Sequence, residues 1–139
     1  MIINRFKGRY GMSYLPVFLN LSNRACLIVG GGRAACDAAA KLLQANAQVT
    51  VAAPQLDAEL RKWVDRGSVR HYAGCFSPRL LDGKALVVAA TDNRLSNRWV
   101  SDHAGRRRIP VRVLDDPEVG DVILANTVGA VPLADTQLA

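Results

Sequence analysis

Residues 26–36 read CLIVGGGRAAC, a short apolar run followed by three glycines and then by small helix-forming residues. This order predicts a buried strand, a tight turn and a helix. Gly30 and Gly32 occupy the first two positions of the spacing G-x-G-x-x-G/A, and Ala35 occupies the third. In a dinucleotide-binding turn the first glycine makes the bend, the second lets the backbone approach a pyrophosphate, and the third position must be small. The stretch favours such a turn, but a glycine-rich turn without a ligand gives the same short pattern.

The segments on either side of this turn alternate between strand and helix patterns. Small and apolar residues recur at helical spacing from Arg33 to Asn46, and Asn46 suits the left-handed position at a helix end. Further strands are predicted at residues 48–53, 69–72, 85–90 and 109–114, a sixth is allowed at 122–125, and two more helices are predicted at 57–66 and 93–105. Parallel strands need crossover connections, so the alternation predicts an α/β fold with a Rossmann-type doubly wound parallel sheet in a single domain.

The helix that follows Thr91 has its own start signal and its own apolar pattern. Asp92 or Asn93 suits its N-cap, and for Asp92 we favour this structural role over a catalytic one. Leu95, Trp99 and His103 recur at four-residue spacing and predict the stripe that faces the sheet.

The chain has 139 residues, which is the length of one domain. We interpret residues 1–11 as an N-terminal extension and residues 12–139 as the NAD(P)-binding Rossmann domain. No run approaches the roughly 18 apolar residues of a membrane helix. The first residues also lack the apolar centre and cleavage site of a secretory signal. The sequence therefore predicts a soluble, cytoplasmic protein without a membrane partner.

The net charge of +6 and the isoelectric point near 9.7 favour an anionic partner. Nucleic acid, a phosphorylated cofactor and a polycarboxylate all qualify. The chain has no recognition-helix signature and no platform of alternating aromatic and basic residues, so nucleic acid is the least favoured of the three. The densest basic cluster, residues 106–108, precedes the fifth strand and is predicted to be a solvated turn.

The cysteines and histidines do not form a recognisable metal-binding or disulfide pattern. Cys26 and Cys36 fall in apolar surroundings and are predicted to be small core residues. Cys75 falls in a loop. His71 and His103 are predicted to be a strand residue and a helix-packing residue, and no metal site is predicted.

Polar residues follow two of the predicted strands and are expected at one edge of the sheet. Thr91 and Asp92 come after the fourth strand, and Asp115 and Asp116 come after the fifth. In a doubly wound sheet, ligands bind beyond the carboxyl ends of the strands at the switch point, where the glycine turn also lies. The arrangement predicts a nucleotide site at this edge.

Five separated motifs resemble, in the family's order, the N-terminal module of siroheme synthase. They are YLPVFLNLSNRACLIVGGG at 14–32, VTVAAP at 49–54, AATD at 89–92, Asn97, and VLDDP at 113–117. The same module occurs alone as precorrin-2 dehydrogenase or sirohydrochlorin ferrochelatase, and the likeness covers residues 12 to about 126.

The resemblance implies an oxidoreductase that uses NAD to remove two hydrogens from precorrin-2, a tetrapyrrole with eight carboxylates, and so forms sirohydrochlorin. In some members it also implies iron insertion. The family's key aspartate falls on Asp115. The cofactor-binding set predicted from the motif, the sheet edge and the resemblance together is Gly30, Gly31, Gly32, Arg33, Ala34, Pro54, Gln55, Thr91 and Asp92.

A carboxylate beside the reacting ring can accept the proton that accompanies hydride transfer, or it can orient a ring N–H. Asp115 at a strand end suits either role. The same residue type also caps turns, so a cap before Pro117 is the structural alternative, and Asp116 is favoured as the turn residue. Arg33 and Arg112 are predicted to lie nearer the site than the cluster at 106–108.

The chain also departs from the family pattern. Arg112 stands where the family commonly has asparagine, and Asp37 stands where it usually has a basic residue. Family members continue into a dimerisation region and a helical domain, which we expect this chain to lack. The resemblance implies a homodimer, and the expected lack of that region argues against one here. A non-catalytic NAD-binding module is therefore the alternative to the enzyme.

Overall fold

The computed structural model describes residues 14–116 and 119–125, and in these residues five parallel strands form one sheet. The strands are β1 (Ala25–Val29), β2 (Gln48–Ala52), β3 (Val69–Tyr72), β4 (Leu86–Ala89) and β5 (Val111–Val113). Their order in the sheet is β3-β2-β1-β4-β5. The chain builds outward from β1 on one side and then returns to build outward on the other, so the predicted doubly wound α/β fold is confirmed.

Three helices connect these strands. They are α1 (Arg33–Gln44), α2 (Ala58–Asp65) and α3 (Arg94–Arg106), and a 3₁₀ helix (Pro78–Leu81) precedes β4. Asn46 follows α1 with a φ of 61°, the left-handed conformation predicted for it. Among the described residues, no helix is long and apolar enough to cross a membrane.

The sheet is covered on both faces, and β1 shows this most clearly. Cys26 and Ile28 lie in the core cluster that includes α1 and α2, while Leu27 and Val29 lie in the cluster that includes α3. All four side chains are buried. A strand buried on both faces needs apolar residues at every position, and this explains the unbroken apolar run before the glycines.

The predicted inward stripe of α3 is wrong. Leu95 is 80% exposed and Trp99 is 46% exposed. The buried residues of the helix are instead Asn97, Val100, Ser101 and Ala104. These residues also recur at helical spacing, and their small side chains let the helix backbone lie close to the sheet. A prediction based only on the large apolar residues therefore assigned the wrong face of α3 to the core.

Of the two N-caps predicted for α3, Asn93 is confirmed, and the cap role favoured for Asp92 is wrong. The cap is Asn93, whose side-chain oxygen accepts a hydrogen bond from the backbone N–H of Ser96 at 2.9 Å. The hydroxyl of Thr91 accepts from the backbone N–H of Asn93 at 3.2 Å. This short turn from residue 91 to residue 93 leaves Asp92 outside the helix start.

The sixth strand, allowed at residues 122–125, is absent from the described part of the sheet. The backbone N–H groups of Asp121 and Val122 both donate to the carbonyl of Val111, at 2.7 and 3.2 Å. Two successive donors on one carbonyl do not form a strand ladder. Val122 and Leu124 instead pack against the core on the α1 side. The predicted extension, residues 1–11, lies outside the described residues.

Substituting Gly30 tests how closely β1 approaches β4. Gly30 has a φ of +131°, and a Cβ atom there would collide with the carbonyl group of Ala90. Gly30→Ala is therefore expected to lower the free energy of unfolding by about 3 kcal/mol or more, from steric overlap and backbone strain together. Denaturant unfolding measures the change.

Gly105 provides the matched control. It lies in α3, and a Cβ atom added there would have no atom within 4 Å. Gly105→Ala should raise the free energy of unfolding by about 0.5–1 kcal/mol, because alanine is the better helix former. Equal effects of the two substitutions would contradict the proposed steric origin.

Candidate functional site

The switch point of the sheet lies between β1 and β4. The chain leaves β1 toward β2 and leaves β4 toward β5, so the connections after these two strands diverge. This divergence opens a crevice beyond their carboxyl ends, where doubly wound proteins bind ligands. Gly30 follows β1 and Thr91 follows β4, so the predicted site residues stand at this crevice.

The three glycines of the turn meet different surroundings. A Cβ at Gly30 would collide with Ala90, and one at Gly31 would collide with the carbonyl of Gln55. A Cβ at Gly32, by contrast, would have nothing within 4 Å. The first two glycines are thus required by packing within the protein. Gly32 leaves an open approach to the backbone, which is what a bound pyrophosphate requires.

The start of α1 has the features of an anion site. Its N-cap is Gly32, which provides no side-chain hydrogen bond to the first turn. The first N–H groups of a helix have no partner within the helix, and the helix dipole is positive at this end. Arg33 and Ala34 are both exposed there. The residues present therefore fit the phosphates of a dinucleotide.

The segment after β2 forms a second side of this cradle. The backbone N–H of Asp57 donates to the carbonyl of Gly31 at 2.6 Å, which holds the segment against the glycine turn. Pro54 and Gln55 lie in this segment and are exposed. The two loops that carry most of the predicted cofactor-binding set are thus in direct contact.

The amide of Asn97 joins the loops after β4 and β5. Its Nδ2 donates to the carbonyl of Thr91 at 3.1 Å and to Oδ1 of Asp115 at 3.0 Å. Its Oδ1 accepts from the backbone N–H of Thr91 at 3.1 Å and from the Thr91 hydroxyl at 2.6 Å. Asn97 is 1% exposed. A buried amide with all its polar atoms bonded holds its partners in one geometry.

One carboxylate oxygen of Asp115, Oδ1, is therefore held by Asn97, although Asp115 as a whole is exposed to solvent. Its other oxygen, Oδ2, has no hydrogen-bond partner in residues 14–116 and 119–125. The observed partner is a side chain on α3. Residues 117 and 118, where the alternative turn cap would bind, lie outside the described residues, so that alternative stays a prediction. The carboxylate has one fixed oxygen and one oxygen accessible to a ligand.

Thr91 and Asp92 differ in what they offer a cofactor. The hydroxyl of Thr91 is used within the protein by its contacts with Asn97 and Asn93. Asp92 is exposed, and its carboxylate has no partner among the described residues. Of the two side chains, Asp92 is the one that solvent or a ligand reaches.

A cleft of about 210 Å³ lies beside Asp115. Arg94, Leu95 and Arg98 from the first two turns of α3 line it together with Asp115 and Asp116. Nη2 of Arg94 lies 3.1 Å from Oδ2 of Asp116. Neither arginine was singled out from the sequence. Their spacing of four residues, close after the Thr91–Asp92 motif, was the signal that could have found them.

Arg112 does not lie in this cleft. Its neighbours Val111 and Val113 face the core cluster on the α3 side, and alternation along β5 turns Arg112 to the opposite face. Its Nε and Nη1 are buried and have no hydrogen-bond partner in the part of the chain that the structure describes. The side chain of Arg112 therefore lies on the α1 side of the sheet, and its position nearer to the site than residues 106–108 stays a prediction.

The cysteines of the core are not reactive groups. Burial raises the pKa of the Cys26 thiol against the weaker effects of Arg24 and Lys84. Burial also raises the pKa of the Cys36 thiol, and the nearby carboxylate of Asp57 raises it further. Both remain protonated at neutral pH and pack as small apolar residues, as predicted. Nε2 of His71 donates to the carbonyl of Ala53 at 2.8 Å, which gives this histidine a role in holding β3 beside β2.

Comparison with known proteins supports the use of NAD as the cofactor. Residues 17–126 match a family model described as putative NAD(P)-binding. Among solved structures, SirC, a precorrin-2 dehydrogenase, superposes with a TM-score of 0.68 and 26% identity, covering 90% of this chain and 67% of that one.

Curated relatives give the same result by sequence. Siroheme synthase of Methylobacillus flagellatus is 45% identical over 122 residues, and siroheme synthase 3 of Aeromonas hydrophila subsp. hydrophila is 46% identical over 122 residues. Each alignment covers 88% of this chain but only 26% of the relative. The resemblance read from the five motifs is confirmed, and the chain spans about a quarter of the length of these relatives.

Removing the Asn97 amide tests the network. Asn97→Ala leaves the polar groups of Thr91 without their partner and opens a small cavity. We expect a loss of about 2–4 kcal/mol in the free energy of unfolding, measured by denaturant titration. Asn93→Ala is the control, since it removes only the helix cap and should cost about 1 kcal/mol. A smaller loss for Asn97→Ala than for Asn93→Ala would contradict the network's importance.

Proposed function

This chain belongs to the putative NAD(P)-binding family that its residues 17–126 match, and from this premise we propose that it is an NAD-dependent precorrin-2 dehydrogenase of siroheme biosynthesis. The observation that carries the proposal is the position of Asp115. Asn97 holds this carboxylate at the carboxyl end of β5, in the same sheet as the glycine turn after β1 and separated from it only by β4. A dinucleotide cradle and an accessible carboxylate thus lie at the same edge of the sheet.

The cofactor-binding residues divide into three groups in this proposal. The glycine turn with Arg33 and Ala34 binds the pyrophosphate, because the open backbone at Gly32 and the start of α1 offer N–H groups to it. Pro54 and Gln55 bound the site on the β2 side, and Thr91 and Asp92 bound it on the β4 side.

The reaction removes a hydride and a proton from precorrin-2 to give sirohydrochlorin. The nicotinamide of bound NAD supplies the hydride acceptor. Oδ2 of Asp115 takes the proton, or it orients the ring N–H from which the proton is lost, while Oδ1 stays bonded to Asn97. Because Asp115 is exposed, it can then pass the proton to water.

The substrate is a tetrapyrrole with eight carboxylates, and the net charge of +6 suits such a ligand. The described residues provide the cofactor cradle and the edge that carries Asp115. Iron insertion, which the resemblance implies for some members, stays a prediction.

A non-catalytic NAD-binding module is the second candidate. Its support is that the cradle is built from residues 30–55 and 91–92, whereas the carboxylate is a separate element after β5. A chain that kept only the cradle would bind NAD without acting on a tetrapyrrole.

Gly32→Ala tests the cradle without disturbing the fold. A methyl group at residue 32 meets no protein atom within 4 Å, so the melting temperature should change little. It would stand where the pyrophosphate approaches the backbone, and we expect NAD affinity to fall about tenfold, or about 1.4 kcal/mol. Calorimetric titration measures this, with Gly105→Ala as the control. Unchanged affinity would place the cofactor elsewhere.

Asp115→Asn tests the catalytic role. The substitution keeps the size of the side chain but removes the group that accepts a proton, so turnover of precorrin-2 with NAD should fall by about 100-fold or more. NAD affinity should stay within about twofold. The assay follows the appearance of sirohydrochlorin absorbance.

Asp102→Asn is the matched control, because Asp102 is an exposed carboxylate further along α3 and lies outside the cleft. Turnover should be unaffected by this change. If the unmodified chain binds NAD but gives no sirohydrochlorin, the non-catalytic module is the correct function.

A further inference from the structure

The cleft beside Asp115 is lined by two arginines and two carboxylates, and one of the arginines makes no ion pair among the described residues. Arg94 is paired with Asp116 at 3.1 Å, and Asp115 is bonded to Asn97 at 3.0 Å. Arg98 also lines the cleft, and no carboxylate in residues 14–116 and 119–125 lies within ion-pair distance of it. Arg98 is exposed, and its guanidinium has no hydrogen-bond partner within the described part of the chain.

The size of the cleft limits what it can hold. Its volume of about 210 Å³ is smaller than the roughly 300–1,000 Å³ of pockets that enclose a whole small-molecule ligand. It is suited to one arm of a larger ligand. A guanidinium binds a carboxylate through two parallel N–H groups, so an acidic arm is the chemistry that Arg98 recognises best.

The surface next to the cleft is apolar. Leu95 lines the cleft and is 80% exposed, and Trp99, one turn further along α3, is 46% exposed. Trp99 packs edge-to-face with Phe76, with ring centroids 5.2 Å apart, and this contact fixes the indole in place. The exposed apolar surface of Leu95 and Trp99 lies beside the guanidinium of Arg98. This combination suits a flat conjugated ring that carries carboxylate arms.

We propose that Arg98, with Arg94 beside it, binds a carboxylate arm of the tetrapyrrole and thereby orients the ring toward Asp115. The inference rests on the proposed function, because the ligand is the substrate of that same site. It adds a specificity-determining residue that acts on the substrate and has no contact with the NAD cradle. Arg94 contributes less, because Asp116 already uses part of its charge.

The test is a binding titration of the full 139-residue chain with sirohydrochlorin, followed by quenching of tryptophan fluorescence, with NAD titrated separately. Arg98→Ala should weaken sirohydrochlorin binding about fivefold to tenfold, as expected for one charged hydrogen-bonded contact near the surface. Arg98→Lys should recover part of this loss, since it keeps the charge without the planar fork. NAD affinity should not change in either variant.

Arg106→Ala is the matched control. Arg106 is an exposed arginine of the last turn of α3, far along the helix from the cleft, so its removal changes the net charge equally. It should leave sirohydrochlorin binding unchanged, and the difference between the two alanine variants should shrink as salt is added. Their melting temperatures should agree, which separates a binding role from a structural one.

The outcomes separate this inference from the proposed function. If the unmodified chain binds sirohydrochlorin and Arg98→Ala binds it equally well, the inference is overturned while the dehydrogenase assignment stands. An equal loss of NAD affinity in Arg98→Ala would also overturn it, because the arginine would then act on the cofactor. If the unmodified chain binds NAD and no sirohydrochlorin, the inference and the proposed function both fail.

Discussion

The contact between Gly30 and the backbone at Ala90 is the constraint on which the site depends. The end of β1 passes so close to the end of β4 that a single methyl group at Gly30 would overlap the Ala90 carbonyl. The next residue, Thr91, is held through both its backbone N–H and its carbonyl by Asn97, which also holds Asp115. The glycine turn and the carboxylate of Asp115 are therefore linked through Ala90, Thr91 and Asn97. A shift of either one would disturb the contacts that hold the other in place.

The two halves of the site use different parts of the chain. The cofactor half relies on backbone: an open glycine, a helix start without a side-chain cap, and a loop bonded to the carbonyl of Gly31. The substrate half relies on side chains, namely Asp115 and the arginines of α3. Backbone recognition depends on a few glycines at fixed spacing, whereas side-chain recognition depends on which residues three separate segments bring together.

This difference explains how much the sequence could predict. The alternation of strands and helices, the turn at residues 30–32 and the position of Asp115 at a strand end follow from local patterns and were predicted from them. The exposed face of α3 was not predicted correctly, because Leu95 and Trp99 have the same spacing as the residues of a buried stripe. The face on which Arg112 lies was not predicted either, because alternation along β5 turns its side chain away from the cleft beside Asp115. Both points concern the direction of a side chain, which only the packing of the whole fold decides.

The small residues on the inner face of α3 are what make the network around Asn97 feasible. An asparagine side chain is short, so its amide reaches Thr91 and Asp115 together only if the helix axis lies close to the sheet edge. Ser101 and Ala104 occupy the inner face further along, where leucine or tryptophan would hold the helix away. The large apolar residues that the spacing assigned to this face would therefore have separated Asn97 from its partners. Because these large residues lie on the outer face, they form an exposed apolar surface beside the cleft. The close packing of α3 on the sheet thus explains both this surface and the hydrogen bond that holds the carboxylate of Asp115.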